Sequence, residues 1–285
     1  MNLLRDAEGR IRAPYVVGLF TVVAIILEGA LTFLLGAIGL LRFDDLDSPR
    51  VIFSTAPSLV SGMGATLVTW LAFREPTGLV EPQPQPQVRF GEGFFIGALT
   101  LIVCCVVPAL VGATSLSLTA RSPGAVAGAG LVQLITLAPA AVGEELLLRG
   151  IGFQALRRGM GDVAAVAFTG LVFGGLHLFN PGATWVAALG VALVGAWFGA
   201  LTIRSGSLWM AMGLHAAWNF FEGFVFGQPV SGNPPGTSIF IGRVEAPSFW
   251  SGGAFGPEAA GWTAVVLMLG LGLTLALPRR SAVLT

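Results

Sequence analysis

Between Ala13 and Leu41 the sequence carries a single charged side chain, Glu28, and apolar runs of similar character recur to the end of the chain. About 20 apolar residues in a helix rising 1.5 Å per residue span a hydrocarbon layer ~30 Å thick. Inside that layer no water is available to the backbone, so such runs are restricted to helices that satisfy their own hydrogen bonds. Composition agrees: 54% of residues are hydrophobic and 11% charged, with mean hydropathy +0.82, whereas soluble proteins average roughly 25% charged. The chain is therefore an all-α, polytopic integral membrane helical bundle of about eight transmembrane helices, forming one domain over 1–285. The candidate spans are 14–41, 51–73, 93–114, 126–156, 161–179, 183–203, 207–227 and 260–277. The first run is too long for a signal peptide and lacks a clear small-residue cleavage site, so it reads as a span.

The connections follow from Pro and Gly. The segment 81–93, EPQPQPQVRFGEG, reads as an extended loop, and 228–259 as a longer Gly/Pro-rich connection of open role. All 15 basic residues are arginines and the net charge is zero, which gives no sign of nucleic-acid binding. With the N-terminus inside, cytoplasmic segments hold Arg5, Arg10, Arg12, Arg74, Arg89, Arg157, Arg158, Arg204, Arg279 and Arg280. The opposite side holds Arg42, Arg50, Arg121 and Arg243. The excess predicts a multi-pass protein of the cell membrane with both termini cytoplasmic. Cys104 and Cys105 are adjacent in an apolar run and read as small buried hydrophobes.

One span breaks the apolar rule. Glu144, Glu145 and Arg149 interrupt the stretch 138–150, APAAVGEELLLRG, although charge at bilayer depth costs between ~2.5 and more than 10 kcal/mol unless paired or hydrated. If that helix runs on to Arg157 and Arg158, Glu144 lies 13 residues, or ~20 Å, from its cytoplasmic end. Similar counting puts His177 at ~24 Å, His215 at ~17 Å and Asn219 at ~22 Å, all near the midplane. His177 and His215 are the protein's two histidines. Phe173 with His177, and His215 with Asn219, each share a helix face at i, i+4. Gly170 with Gly174, and Gly195 with Gly199, have the GxxxG spacing that lets helices approach closely.

Taken singly, each group has a plain structural role. A membrane histidine or Asn219 can be an interhelical hydrogen-bonding group, and Glu145 with Arg149 at i, i+4 reads as a structural ion pair. Glu144 points about 100° away from that pair. Two Glu, two His and an Asn at one depth read together as a site. Such a set suits hydrolysis, which needs a base for water, and burial raises a carboxylate toward neutrality. It also needs donors aimed at the developing oxyanion, a role open to Asn and to a protonated histidine nitrogen.

At these residues the sequence resembles the CPBP family, which contains CAAX-prenyl endopeptidases of the Rce1 type and bacteriocin-processing or bacteriocin-immunity membrane proteins. EELLLR (144–149), FGGLH (173–177) and HAAWN (215–219), on successive spans, match its EExxxR, FxxxH and HxxxN/D signatures. The similarity covers about 124–227. It implies an intramembrane glutamate endopeptidase in which Glu144 and His177 activate water and His215 and Asn219 stabilise the oxyanion. Glu145, Arg149 and Phe173 would then be supporting residues. The implied substrate is a peptide or membrane-protein tail, lipidated or not, taken at the lipid surface, with no cofactor.

Two alternatives stand beside this reading. Glu144, His177 and His215 could be the ligands of a catalytic zinc, although HExxH is absent. A non-enzymatic immunity or transport protein could use the same groups as a proton relay, with Glu28 and Glu222 extending it.

Overall fold

The computed structural model describes residues 4–6, 9–40, 52–74, 85–245 and 248–279. In chain order the helices are α1 (Ala13–Ala37), α2 (Ile52–Phe73), α3 (Pro86–Leu110), α4 (Pro123–Arg149) and α5 (Ile151–Met160). They continue with α6 (Asp162–Leu176), α7 (Trp185–Ser205), α8 (Leu208–Phe220), α9 (Ser248–Ser251) and α10 (Gly261–Ala276). Two short strands, β1 (Thr114–Leu118) and β2 (Phe240–Val244), pair antiparallel with Thr114 opposite Val244.

Among the described residues six helical segments are long and apolar enough to cross a membrane: Ala13–Ala37, Phe53–Phe73, Pro86–Leu110, Pro123–Met160, Asp162–Phe179 and Trp185–Ser205. Helices α8 and α10 occupy the places of the seventh and eighth expected spans but are shorter, with 13 and 16 residues. Helix α7 is the axis of the bundle. Its Val191, Val194, Trp197, Phe198 and Leu201 pack into one core with Leu101 of α3, Leu214 and Trp218 of α8 and Leu267 of α10. Cys104 and Cys105 belong to that core as free thiols. The outer surface is apolar instead, with Phe33, Phe95, Val163, Trp185 and Leu273 exposed, as lipid contact requires.

Three details depart from the sequence expectation. Helix α3 begins at Pro86, inside the segment expected to be an extended loop; residues 81–84 lie outside the described residues, as do Arg42, Arg50 and Arg280 of the orientation count. Proline is favoured at a helix start, and the first turns are worth keeping because Arg89 pairs with Glu92 at 2.8 Å and Phe90 packs with Leu208 and Met212 of α8. Helix α4 does not continue to Arg157. It ends at Gly150, whose backbone (φ −74°, ψ −146°) is not helical. The break turns Ile151 and Ala155 of α5 onto Val16 and Phe20 of α1, and Phe153 onto Ala165 of α6. Finally, the 228–259 connection contributes to the interior: its Gln228, Val230, Phe255, Glu258 and Ala259 are buried.

Lipid tails are as apolar as leucine, so close backbone contact and polar links hold membrane helices together. At the α6–α7 crossing a Cβ on Gly174 would strike the Ala188 carbonyl oxygen, and one on Gly170 would lie 2.8 Å from the Ala192 oxygen. Gly174→Val is expected to lower stability by about 1–3 kcal/mol in detergent unfolding. Gly175→Ala, where added carbon meets nothing within 4 Å, should cause no loss.

Candidate active site

Helix α4 carries both glutamates and the arginine, and their spacing separates their surroundings. Glu145 and Arg149, one turn apart, have no exposed side-chain surface, and Arg149 Nη1 donates to Glu145 Oε1 at 3.1 Å. Arg149 Nη2 reaches across to α7 and donates to the Gly195 carbonyl at 2.7 Å. Its guanidinium also lies over the Phe173 ring at 5.0 Å and the Phe198 ring at 5.6 Å. Glycine at 195 is required here, since a Cβ would sit 2.8 Å from Arg149 Nη2. Glu144, on the adjoining face, keeps 31% of its side chain exposed.

His215 of α8 joins the two carboxylates. Its Nδ1 lies 3.0 Å from Glu145 Oε1 and its Nε2 lies 3.7 Å from Glu144 Oε2. A carboxylate only accepts, so Nδ1–H is the donor to Glu145. The ring packs 5.1 Å from Phe198 and 5.9 Å from Phe173. Asn219 follows one turn later on α8 and is buried.

His177 sits just past the end of α6, in a short 3-10 turn His177–Phe179. Its Nδ1 is 2.8 Å from the Phe173 carbonyl oxygen. That oxygen can only accept, so Nδ1 carries the proton and, in the neutral ring, Nε2 is left as an acceptor. The Phe173 ring stands edge-on to His177 at 4.5 Å and to His215 at 5.9 Å. Phe173 is thus the spacer between the histidines.

The structure brings Glu144, Glu145, Arg149, Phe173 and His215 into one connected cluster, with His177 joined to it through Phe173. Among the described residues no three His, Cys, Asp or Glu side chains are grouped so as to hold a metal ion. In both His177 and His215 it is Nδ1 that is hydrogen-bonded, which orients the ring.

Sequence reasoning missed three contributors. Phe198, one aromatic among many in an apolar span, carries no local signal. The link from His215 to Glu145 joins residues 70 apart. The third is a polar clip in the 228–259 segment beside His177. Glu258 accepts from Ser231 N–H at 3.1 Å and Ser231 O–H at 2.7 Å, while Asn180 Nδ2 donates to the Ser231 carbonyl at 2.9 Å. Burial lifts the Glu258 carboxyl above the usual carboxylate range, against the pull of Ser231 and of nearby His177. Glu222, buried in a π-helical turn Phe221–Val225, borders this clip, and a Cβ on Gly256 would lie 3.3 Å from its Oε1.

Residues 127–221, the stretch that contains every one of these motif residues, match the family model described as type II CAAX prenyl endopeptidase Rce1-like. The chain carries an Rce1-like domain. The Rce1-like match marks the protein as a peptidase of the membrane, acting on a peptide or protein. No curated protein matches the chain.

Breaking a buried ion pair from one side leaves an uncompensated charge. Arg149→Met is therefore expected to cost about 3–5 kcal/mol in unfolding measurements on purified protein. The double variant Glu145→Gln/Arg149→Met should regain most of the loss.

Proposed function

We propose that the protein is an intramembrane endopeptidase that uses Glu144 as general base for water, without a metal ion. The observation that supports this most is the unequal surroundings of two neighbouring carboxylates. Glu145 is enclosed and ion-paired with Arg149, whereas among the described residues Glu144 forms no arginine ion pair and stays partly exposed. A base for water must be able to reach water, and Glu144 is the carboxylate placed to do so.

The sequence of steps follows from the donors and acceptors. Water held by Glu144 and by the acceptor nitrogen of His177 attacks the scissile carbonyl as its proton passes to Glu144. As the imidazolium, His215, its Nδ1–H directed at Glu145, has a second N–H to offer at Nε2. That N–H and the Asn219 amide hold the oxyanion, an interaction worth ~3–4 kcal/mol per donor in other enzymes. Glu144 then returns its proton to the leaving amine, the C–N bond breaks, and the new carboxylate departs.

The substrate proposed is the C-terminal tail of a lipidated peptide or protein of CAAX type, presented at the lipid surface. Orientation is supported by the clustering of arginines at one end of the bundle. Arg157 and Arg279 both pair with Asp162, at 2.8 and 2.7 Å, and Arg204 donates to the Leu277 carbonyl. We place that end, and both termini, on the cytoplasmic side.

Cleavage of a farnesylated CAAX peptide by detergent-purified protein tests the reading. Glu144→Ala and His177→Ala are each expected to lose at least ~10² in kcat/KM while remaining folded, and a chelator should leave the parent enzyme unchanged. Normal turnover by folded Glu144→Ala would refute the base assignment, and activity removed by chelator and restored by zinc would favour a metalloprotease. Topology is checked separately: reporters fused to either terminus should read cytoplasmic.

A further inference from the structure

Glu28 lies outside the matched stretch, on the first helix, and nothing in the proposed chemistry uses it. Helix α1 is apolar and buries only Val16, Phe20 and Ala24. Glu28 is the next residue in that i, i+4 stripe, so it continues the inward face rather than the lipid face. It is half-buried, and its Oε2 accepts a 2.6 Å hydrogen bond from Ser61 Oγ on α2. Ser61 itself is fully buried.

The crossing of α2 and α4 explains what this pair faces. A Cβ on Gly62 would lie 2.9 Å from the Gly143 carbonyl oxygen, so the two backbones nearly touch. Ser61 and Glu144 are the chain neighbours of those two glycines. The crossing therefore brings the Ser61–Glu28 pair near the part of α4 that carries Glu144. Two carboxyl groups brought near one crossing at bilayer depth, one of them 31% exposed, call for hydration. Two other charges near this crossing have partners of their own. Arg157 of α5 pairs with Asp162, and Glu145 of α4 pairs with Arg149 and His215.

We propose that Glu28, held by Ser61, is a positioning residue for the water that Glu144 activates. Water that donates one O–H toward Glu144 has a second O–H to place, and Glu28 supplies the acceptor on the opposite wall. The first helix then belongs to the working site. This inference rests on the reading of Glu144 as the base.

The test uses the full-length purified protein and the farnesylated CAAX peptide. Glu28→Leu is expected to reduce kcat by roughly 10–100-fold with KM changed by less than about twofold, as misplacing a reactant does. Glu28→Gln keeps an acceptor for both Ser61 and water and should recover to within about threefold of the parent, with Ser61→Ala between the two. Leucine at this depth removes a membrane charge, so folding should not suffer, and thermal unfolding checks that. Parent-like kcat in Glu28→Leu, a loss confined to KM, or a Gln variant as impaired as Leu would each overturn the proposal. If Glu144→Gln is inactive while Glu28→Leu is not, only this inference falls. If Glu144→Gln is active, the base assignment falls first.

Discussion

Glu145, Arg149 and His215 form a charged brace from which solvent is excluded. Arg149 bonds Glu145 on its own helix and the Gly195 carbonyl of α7, and His215 of α8 bonds the same Glu145 oxygen. Three helices are thus tied at one level, with Phe173 of α6 stacked beneath the guanidinium. Apolar packing against lipid gives little preference for one helix arrangement over another. A buried ion pair does, because any arrangement that separates its members leaves a charge in hydrocarbon. The position of every other group in the site depends on this brace.

Its consequence for chemistry is a division between neighbours in sequence. Helical geometry turns Glu144 about 100° from Glu145, so one carboxylate enters the brace and the other faces accessible space. His215 touches both, and its orientation is fixed by the bond to Glu145. His177 is oriented by a different device, the carbonyl of Phe173 one turn earlier. In both rings Nδ1 is hydrogen-bonded, and His215 turns its Nε2 toward Glu144 at 3.7 Å.

Much of this was legible from residue spacing. The i, i+4 relation of Glu145 to Arg149 and of Phe173 to His177 follows from helix period alone, and the structure shows both contacts. The GxxxG pair in α6 meets backbone of α7, as small residues allow. What escaped were features set by tertiary packing. Apolar residues continue on a helical period past Gly150, so the break there is visible only from where α1 and α6 receive Ile151 and Phe153. The Gly/Pro-rich composition of 228–259 announced a loop but not that Ser231 and Glu258 would be clipped inside beside His177. Pro86 read as loop, though α8 gives the turn that starts there something to pack against.

Crystals of the protein grown with zinc, diffracted at the zinc absorption edge and to a resolution that shows ordered water, give the most direct test. The account predicts a water within hydrogen-bond distance of Glu144 and His177, with no anomalous peak at that position. An anomalous peak bonded to Glu144, His177 and His215, or a Glu144 side chain turned away toward lipid, would contradict it.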